Sequence, residues 1–333
     1  MNPVLESLPI LVLYPHSRCN CRCLMCDIWK TDTTRELTAA DLDRHAADIE
    51  KLGVEWVVLS GGEPLMHSDL TGLCRFFRER RIRITVLSTG LLLERYAEKL
   101  VAAVDDIIVS LDGPPDVHDR IRRVPGAFAR LAAGVRAIHR ARPEFPIAAR
   151  CTVQRSNCRH LRETTCAAQS LGLSSISFLA ADTTSTAFNH PDGWTEPEQN
   201  AVRLSRDDLA ALGDEMEALI SEWDGTGFVL ESPAKLRQIV HRLSVPLGLA
   251  EPAAPSCNAP WVSAVVETDG TVRPCFFHPP IGKVGAQSLL EVLNGPHAVA
   301  FRENLDVATN PVCRQCVCSL KWSGSRPVAA ANH

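Results

Sequence analysis

The sequence has little of what would mark a nucleic-acid-binding or membrane protein. Its net charge is −4, so no broad excess of positive charge predicts a surface for nucleic acid or anionic lipid. No apolar run is long enough to cross a bilayer. Aromatic residues make up only 5% of the chain, whereas 45% of the residues are hydrophobic, which is ordinary for a globular protein. The expected partners therefore include neither nucleic acid nor membrane.

The N-terminus also lacks the pattern of a secretion signal. No Lys or Arg precedes Arg18, and the apolar stretch at residues 8–14 is short and interrupted by Pro9. The cysteine total of 13 is odd, which fits a fully disulfide-paired secreted protein poorly. We therefore expect a cytoplasmic, reducing location. In that compartment, clustered cysteines are more commonly metal ligands or catalytic groups than disulfides.

What the sequence does contain is an alternation of short β-rich runs with amphipathic helical patterns across residues 9–181. The β-rich runs are largely apolar and rich in Val and Ile, as expected of strands buried on both faces. Strands that alternate with helices form parallel sheets with right-handed crossovers. We therefore predict an α/β fold whose main part is a partial (β/α)6 barrel. The predicted strands are Ile10–Tyr14, Trp56–Ser60, Ile82–Ser88, Asp106–Leu111, Ile147–Val153 and Ser174–Leu179.

The chain changes character after the predicted barrel. A polar, turn-rich segment leads to two predicted helices, Ser205–Trp223 and Pro233–Ser244. Beyond a group of prolines, Trp261–Glu267 and Thr271–Phe276 are typical of a hairpin around an Asp-Gly turn. The predicted organisation is a barrel at 1–182, a helical bridging segment at 183–256, a small C-terminal α+β domain at 257–322 and a disordered tail at 323–333.

Four cysteines lie within eight residues directly after the first predicted strand. Three of them, Cys19, Cys23 and Cys26, have the spacing C-x3-C-x2-C. Three thiolates on one loop can bind three irons of a four-iron cluster and leave the fourth iron open to another ligand. The spacing alone also permits a zinc site completed by distant ligands, or a redox relay.

Polar and glycine-rich motifs follow the other predicted strands. In parallel β/α folds, the working groups gather where strands end and helices begin. The motifs are Gly61-Gly62-Glu63-Pro64 after the second strand, Ser88-Thr89-Gly90 after the third, and Ser110 with Asp112 at the end of the fourth.

The cysteine spacing and the Gly-Gly-Glu-Pro motif, each at its strand end within six β/α units, resemble the radical S-adenosylmethionine superfamily. The resemblance covers residues 9–181. It implies that Cys19, Cys23 and Cys26 ligate a [4Fe-4S] cluster whose open iron binds S-adenosylmethionine. It further implies reductive cleavage to a 5′-deoxyadenosyl radical, which abstracts hydrogen from the substrate. The electron would come from a donor such as flavodoxin or ferredoxin.

The resemblance also implies roles for individual residues near this cofactor. The Gly-Gly-Glu-Pro motif would contact its methionyl amino group, and Met25 occupies a position that packs near adenine. Cys21 matches no ligand position and is interpreted as a spare thiol. Arg122 is a candidate partner for the cofactor carboxylate, with a surface arginine as the alternative. The implied cofactor-binding residues are Gly61, Gly62, Glu63, Pro64, Ser88, Ser110, Asp112 and Arg122.

A second set of cysteines lies near the C-terminus. The predicted hairpin brings Cys257 and Cys275 together, and Cys313 and Cys316 supply a second pair. By spacing alone, zinc is the preferred occupant. Beside the barrel, however, the pattern resembles the twitch or SPASM auxiliary-cluster domains of the same superfamily, which implies a second [4Fe-4S] cluster. Cys318 could replace Cys316 as the last ligand.

An auxiliary cluster implies oxidation or epimerisation of the substrate. Peptide-modifying relatives often carry a leader-binding extension, and only 18 residues precede Cys19. The predicted substrate is therefore a small polar molecule such as a sugar, cyclitol or nucleoside. Peptide modification with a separate leader-binding partner is the alternative, and a zinc or iron–sulfur protein without catalytic activity is the non-enzyme alternative.

Few residues can be assigned to the substrate. Cys318 and Asp182 are catalytic candidates, and the cysteines outside the two sets are interpreted as buried packing residues. Further candidates near the predicted barrel mouth or in the bridging segment are Arg150, Gln154, Glu231 and Trp194.

Overall fold

The computed structural model describes residues 1–324, and its strands form a single sheet. The strands are β1 (Ile10–His16), β2 (Trp56–Gly61), β3 (Arg83–Ser88), β4 (Asp106–Ser110), β5 (Ile147–Val153), β6 (Ser175–Ala180), β7 (Ser263–Val266), β8 (Thr271–Arg273) and β9 (Gly282–Lys283). Their order across the sheet is β6-β5-β4-β3-β2-β1-β7-β8-β9. Strands β1 to β6 pair in parallel, whereas β7, β8 and β9 pair antiparallel. The predicted α/β fold with a partial (β/α)6 barrel is confirmed.

Helices connect the parallel strands and cover the outside of the sheet. The first begins at a capping box, because the N–H of Asp41 donates to Thr38 Oγ1 and the N–H of Thr38 donates to the Asp41 carboxylate. The helices are α1 (Ala39–Asp43), α2 (Ala46–Lys51), α3 (Leu70–Glu79), α4 (Leu93–Ala103), α5 (Pro115–Arg122), α6 (Ala127–Ala141), α7 (Leu161–Ser170), α8 (Glu196–Val202), α9 (Arg206–Trp223), α10 (Pro233–Ser244), α11 (Ala259–Val262), α12 (Leu289–Leu293), α13 (Pro296–Asn304) and α14 (Pro311–Arg314).

Alternating residues of the parallel strands serve two different surfaces. In β1, Leu11 and Leu13 belong to the core formed with the outer helices, while Ile10 and Val12 belong to a second cluster on the inner face. This follows from the two-residue period of a strand. Both faces are buried, which explains why the strands are almost wholly apolar in sequence.

The C-terminal region covers the inner face of the barrel near β1 and β2. Cys257, Cys275 and Trp322 pack against the inner cluster that contains Val12 and Trp56. Strand β7 also pairs in parallel with β1, so the barrel sheet continues into the C-terminal region. The second cysteine set is thereby positioned against the barrel interior.

The opposite edge of the sheet is extended by the bridging segment. The N–H of Ile176 in β6 donates to the carbonyl of Phe228, and the N–H of Leu230 donates to the carbonyl of Ile176. The segment then enters α10, which packs on β6. This path brings Glu231, whose carboxylate accepts from the N–H of Phe178 at 3.0 Å, to the edge of the barrel.

Three sequence expectations are wrong in detail. The second hairpin strand was expected to reach Phe276 but ends at Arg273. Trp261 was assigned to a strand but lies in α11, because Pro260 occupies an early helical position where its missing N–H costs nothing. Cys166 was expected to be buried but is exposed on α7, whereas Cys74, Cys151 and Cys158 are buried as expected.

No helix within residues 1–324 combines the length and the apolar character needed to traverse a bilayer. Most of the predicted disordered tail, residues 325–333, lies outside the described residues. The domain boundaries proposed from sequence stay predictions.

Candidate active site

The first cysteine cluster lies on the loop between β1 and α1, and main-chain hydrogen bonds hold this loop on α5. The N–H of Arg22 donates to the carbonyl of Arg122 at 3.0 Å, and the N–H of Leu24 donates to that of Ile121 at 3.1 Å. The N–H of Asp27 donates to the carbonyl of Phe188 at 3.0 Å. The backbone that carries the thiols is therefore fixed at three points.

The thiols of this loop lie close enough to alter one another's pKa. Burial, with the charge of Cys23 in addition, raises the pKa of Cys19 to about 12. Burial and the charge of Cys23 also raise the pKa of Cys26. In contrast, the pKa of Cys23 is lowered to about 6. The neighbouring Cys21 thiol and the nearby Arg122 lower it, and burial opposes them. Cys21 is thus a buried thiol whose proximity to Cys23 shifts the pKa values of the two in opposite directions, which its interpretation as a spare thiol did not include.

Arg122 links the cysteine loop to the end of β4. Its Nη1 donates to Cys23 Sγ at 3.4 Å, and its Nη2 lies 2.5 Å from a carboxylate oxygen of Asp112. Asp112 also accepts from the N–H of Thr152 at 2.9 Å. Arg122 is 7% exposed and Asp112 is fully buried. Arg122 is therefore not a surface residue, and within residues 1–324 its buried Nε has no hydrogen-bond partner.

Glu63 of the Gly-Gly-Glu-Pro motif is fully buried and accepts four hydrogen bonds. Its Oε1 accepts from Ser88 Oγ at 2.9 Å and from the N–H of Leu65 at 3.1 Å. Its Oε2 accepts from the N–H and Oγ1 of Thr89 at 2.7 and 2.6 Å. Burial raises the pKa of this carboxyl, and the hydrogen bonds oppose the shift. Because the four acceptor positions are occupied, an ammonium group would have to displace a hydroxyl donor.

The two glycines of the motif allow β2 to approach the cysteine loop. A Cβ on Gly62 would lie 2.2 Å from the carbonyl oxygen of Arg18, and one on Gly61, whose φ is +90°, would lie 2.5 Å from Tyr14 Cγ. The N–H of Glu63 donates to the same Arg18 carbonyl at 2.9 Å. The sequence reasoning assigned these glycines to the cofactor alone, whereas the structure gives them a packing role as well.

A third group of residues faces the same loop with unpaired polar atoms. Gln154 Nε2 donates to Met25 Sδ at 3.4 Å, while Gln154 Oε1 is buried without a partner among the described residues. Trp194 stacks on His190 with ring centroids 3.9 Å apart, and its buried Nε1 also lacks a partner within residues 1–324. Met25 and Trp194 belong to one apolar cluster. Buried polar atoms of this kind indicate a bound group that completes their hydrogen bonds.

The remaining predicted residues are placed differently. Asp182 is buried, but its carboxylate accepts from the N–H groups of Thr184 and Ser185 and from both of their hydroxyls, so it stabilises its own loop. Ser110 lies beside Arg150 in the register of β4 and β5. The hydrogen bonds of the Asp182 carboxylate therefore lie within its own loop and do not reach the first cysteine loop.

The C-terminal cysteines surround one cavity, whose other walls are mainly apolar. Burial raises the pKa of Cys275 to about 12 and that of Cys313 to about 11. His278 Nε2 lies 3.3 Å from Cys313 Sγ. Within residues 1–324 no group of three or more His, Cys, Asp or Glu side chains is placed to hold a single metal ion. The thiols instead spread around a common space lined by Cys257, Cys275, Cys313, Cys316 and Cys318.

Aromatic side chains lie between the two cysteine sites. The ring centroids of Tyr14 and Phe276 are 6.3 Å apart, and those of Phe276 and Phe188 are 6.4 Å apart. Tyr14 lies near enough to Cys26 for the two to influence each other electrostatically, and Phe276 follows Cys275. The pKa of Tyr14 is raised, mainly by burial. Both cysteine sites therefore adjoin one interior.

Two sequence-family models match the regions that carry these sites. The Radical SAM superfamily matches residues 13–154, and an iron-sulfur cluster-binding domain, SPASM, matches residues 257–317. The chain belongs to the radical SAM superfamily. The two domains imply a [4Fe-4S] cluster that works with S-adenosylmethionine, together with auxiliary iron–sulfur binding at the second site. The three interacting thiols of the first loop and the five-thiol cavity fit these groups.

Curated relatives match this radical SAM protein over part of their length. An AdoMet-dependent heme synthase of Methanosarcina barkeri is 33% identical over 46% of this chain and 45% of its own length. An Fe-coproporphyrin III synthase of the same organism is 30% identical over 46% of this chain and 39% of its own length. The PqqA peptide cyclase of Ruegeria pomeroyi is 30% identical over 72% of this chain and 60% of its own length. The chain thus spans between 39% and 60% of the length of each of these relatives.

Solved structures share the fold over most of the radical SAM protein. Streptococcus suis SuiB bound to S-adenosylmethionine has a TM-score of 0.66 at 14% identity, covering 96% of this chain and 74% of that chain. The protein anSMEcpe with bound AdoMet and the Cp18Cys peptide has a TM-score of 0.65 at 17% identity, covering 88% of this chain and 81% of that chain. At these identities the likeness establishes the fold.

Sequence reasoning left two further features of the site unresolved. The contact of Arg122 with both Cys23 and Asp112 depends on how α5 packs against the loop, which no local pattern reveals. The position of Cys318 on the wall of the auxiliary cavity leaves five thiols there, and their spacing in sequence does not say which four bind. The choice between Cys316 and Cys318 stays open.

Proposed function

We propose that this radical SAM enzyme removes hydrogen from a substrate held inside the barrel, between its two cysteine sites, and that the net reaction is an oxidation. The observation that carries the proposal is the shared interior, in which the carbonyl of Phe188 accepts from the N–H of Asp27 beside Cys26 and its ring stacks with Phe276 beside Cys275. A substrate in this space lies within reach of both sites.

At the first site, Cys19, Cys23 and Cys26 would hold a [4Fe-4S] cluster with S-adenosylmethionine. When bound, this pair supplies one-electron chemistry that yields a radical able to abstract hydrogen. The chain's contribution is to fix and shield that chemistry. The main-chain bonds to α5 hold the loop, and the Arg122 guanidinium stabilises the Cys23 thiolate.

At the second site, Cys257, Cys275 and Cys313, with Cys316 or Cys318, would hold the auxiliary cluster. In a net oxidation the substrate loses one hydrogen atom, one proton and one electron. The auxiliary cluster would supply the acceptor for that electron. The apolar walls of the cavity exclude water and would leave such a cluster closed to other ligands.

We further propose that the substrate is a peptide. The match to the PqqA peptide cyclase extends over 72% of the chain, whereas the matches to the two tetrapyrrole-named synthases extend over 46%. None of the relatives reported above has a name that refers to a sugar or cyclitol, so that part of the expected small polar substrate has no support from them.

The experiment begins with anaerobic purification and reconstitution of the full chain. We expect about eight irons and eight sulfides per chain, the content of two four-iron clusters. With dithionite and S-adenosylmethionine the protein should form 5′-deoxyadenosine, and a peptide encoded beside its gene should lose two hydrogens by mass. Substitution of the exposed Cys166 by serine, Cys166→Ser, is the matched control and should change neither the cluster content nor the products. A colourless protein that contains only zinc contradicts the proposal.

A further inference from the structure

A second cavity adjoins the auxiliary cysteine site and is lined by a set of polar residues. The cavity lies between β5, β6 and α10, and Cys318 lines both it and the auxiliary cavity. We call it the β5–α10 cavity. Its polar lining includes Arg150, Ser177, Glu231, Lys235, Arg242 and Cys318.

Arg150 is held in a fixed orientation on the inner face of β5. Ser177 Oγ donates to the carbonyl of Ala149 at 3.3 Å, which directs the oxygen lone pairs of the hydroxyl toward the guanidinium. Arg150 Nε donates to this oxygen at 3.2 Å. The hydroxyl thus anchors Nε of a guanidinium that lines the cavity.

The two terminal nitrogens of this guanidinium have no partner within the described part of the chain. Among residues 1–324, the side chain of Arg150 makes one hydrogen bond, to Ser177, and no ion pair within 4.0 Å. Burial lowers the pKa of Arg150, and the charges of Cys318 and Glu231 oppose this shift. A partly buried cation of this kind is unfavourable unless an anion completes its surroundings.

The other charges of the cavity do not neutralise Arg150. Among the residues that line it, Glu231 is the single carboxylate, and it accepts from the N–H of Phe178 rather than pairing with Arg150. Burial also raises the pKa of Glu231, which weakens it as a counter-charge. Lys235 and Arg242 line the same cavity. Among the lining residues the cationic side chains therefore outnumber the single carboxylate.

We propose that the β5–α10 cavity binds a carboxylate of the substrate, with the terminal nitrogens of Arg150 as its bidentate partner. The planar fork of a guanidinium matches two carboxylate oxygens, which makes arginine better suited to this role than lysine. The inference rests on the proposed function, because it assigns to the peptide an anchoring acidic group. Since the cavity shares Cys318 with the auxiliary site, the carboxylate end of the peptide lies on the auxiliary side of the barrel.

The test measures binding of small probes to the reconstituted full-length protein by equilibrium dialysis. N-acetylglutamate α-amide presents only a side-chain carboxylate, and N-acetylglutamine presents only a terminal carboxylate. N-acetylglutamine amide is the neutral control, and inorganic phosphate is the competing anion. We expect one of the two carboxylates to bind at least about 10-fold more tightly than the neutral control, because a charge-assisted bidentate pair forms.

Substitution then assigns the binding to Arg150. Arg150→Gln should weaken binding of the preferred carboxylate about 10-fold or more, and Arg150→Lys should weaken it less because the charge remains. Arg136→Gln, at an exposed position on α6, is the matched control and should bind as the unmodified protein does. If Arg150→Gln does not fold, the Arg150→Lys comparison alone decides.

Three results overturn the inference. Equal binding by the unmodified protein and the Arg150 variants shows that the carboxylate lies elsewhere. Arg150-dependent binding of phosphate but not of either carboxylate shows another ligand chemistry. Loss of iron or an altered potential of the auxiliary cluster in Arg150→Gln, with carboxylate binding intact, shows that Arg150 serves the cluster. Formation of 5′-deoxyadenosine by the unmodified protein tests the proposed function separately, so either can fail alone.

Discussion

The guanidinium of Arg122 donates to Cys23 Sγ at 3.4 Å, and the same group pairs with the buried carboxylate of Asp112. Arg122 is the last residue of α5, and its carbonyl also accepts from the N–H of Arg22 on the cysteine loop. One residue thus holds the loop by its backbone and one thiol by its side chain. The position of the first cysteine site depends on this helix end.

Removal of the Arg122 side chain should destabilise the protein strongly. Arg122→Met leaves Asp112 as an unpaired buried carboxylate, and breaking a buried ion pair in this way costs about 3–5 kcal/mol. The measurement is the free energy of unfolding in urea. The double variant with Asp112→Asn should recover most of the loss, because no buried charge remains. A loss below about 1 kcal/mol would show that the pair is not structurally important.

Cysteine substitutions should separate ligands from neighbouring thiols. Cys19→Ser should remove about four of about eight irons per chain, because three thiolates are needed at the first site. Cys21→Ser should retain them, because Cys21 lies outside the C-x3-C-x2-C spacing of the three ligands. Iron analysis after identical reconstitution is the measurement. A Cys21→Ser protein that loses as much iron as Cys19→Ser contradicts the assignment of Cys21.

Gly62 should not tolerate even a methyl group. Its added Cβ would lie 2.2 Å from the Arg18 carbonyl oxygen, a backbone atom that cannot move without shifting the cysteine loop. Gly62→Ala should therefore lower the melting temperature and the iron content. Gly213→Ala, within α9 with nothing within 4 Å of the added Cβ, should instead stabilise by about 0.5–1 kcal/mol. Similar melting temperatures for the two variants would contradict this account of the motif.

The buried side chain of His118 should make the protein less stable in acid. Burial lowers its pKa from 6.5 to about 3. Above pH 6.5 the imidazole is neutral in both states, so its contribution is fully present. As the pH falls below this value the unfolded chain takes up a proton that the folded protein does not, and stability declines by up to about 1.4 kcal/mol per pH unit.

This effect is measured by urea unfolding between about pH 7.5 and 5.5. These values lie roughly one unit on either side of the pKa of an unperturbed histidine. His118→Gln should show a shallower decline than the unmodified protein. His297→Gln, at an exposed position, should keep the original slope. Identical slopes for all three proteins would exclude His118 as the source.

Much of the fold could be predicted because its elements carry strong local signals. Strand β5 and helix α10 have the predicted bounds, Ile147–Val153 and Pro233–Ser244. The first is rich in apolar residues and interrupted only by Arg150 and Thr152, and the second begins with Ser232 as its cap and Pro233 at its first position. Trp261 was misassigned because Pro260 is the only local sign that a short helix precedes the strand here.

The site was predictable where a motif sits at a strand end and unpredictable where side chains meet through packing. The Cys19, Cys23 and Cys26 spacing and the Glu63 motif follow directly from sequence. The four hydrogen bonds to Glu63 and the orientation of Arg150 by Ser177 depend on neighbouring strands, so they require the folded chain. The choice between Cys316 and Cys318 depends on geometry within one cavity and is not encoded in spacing.

The most direct test of the central claim is electron paramagnetic resonance of the dithionite-reduced, reconstituted protein with and without S-adenosylmethionine. An open iron at the Cys19, Cys23 and Cys26 site predicts that the cofactor alters the spectrum of one cluster. Cys19→Ser should abolish that change, while Cys166→Ser should preserve it. A spectrum that does not respond to the cofactor in the fully reconstituted protein would contradict the assignment of this site as the radical-generating centre.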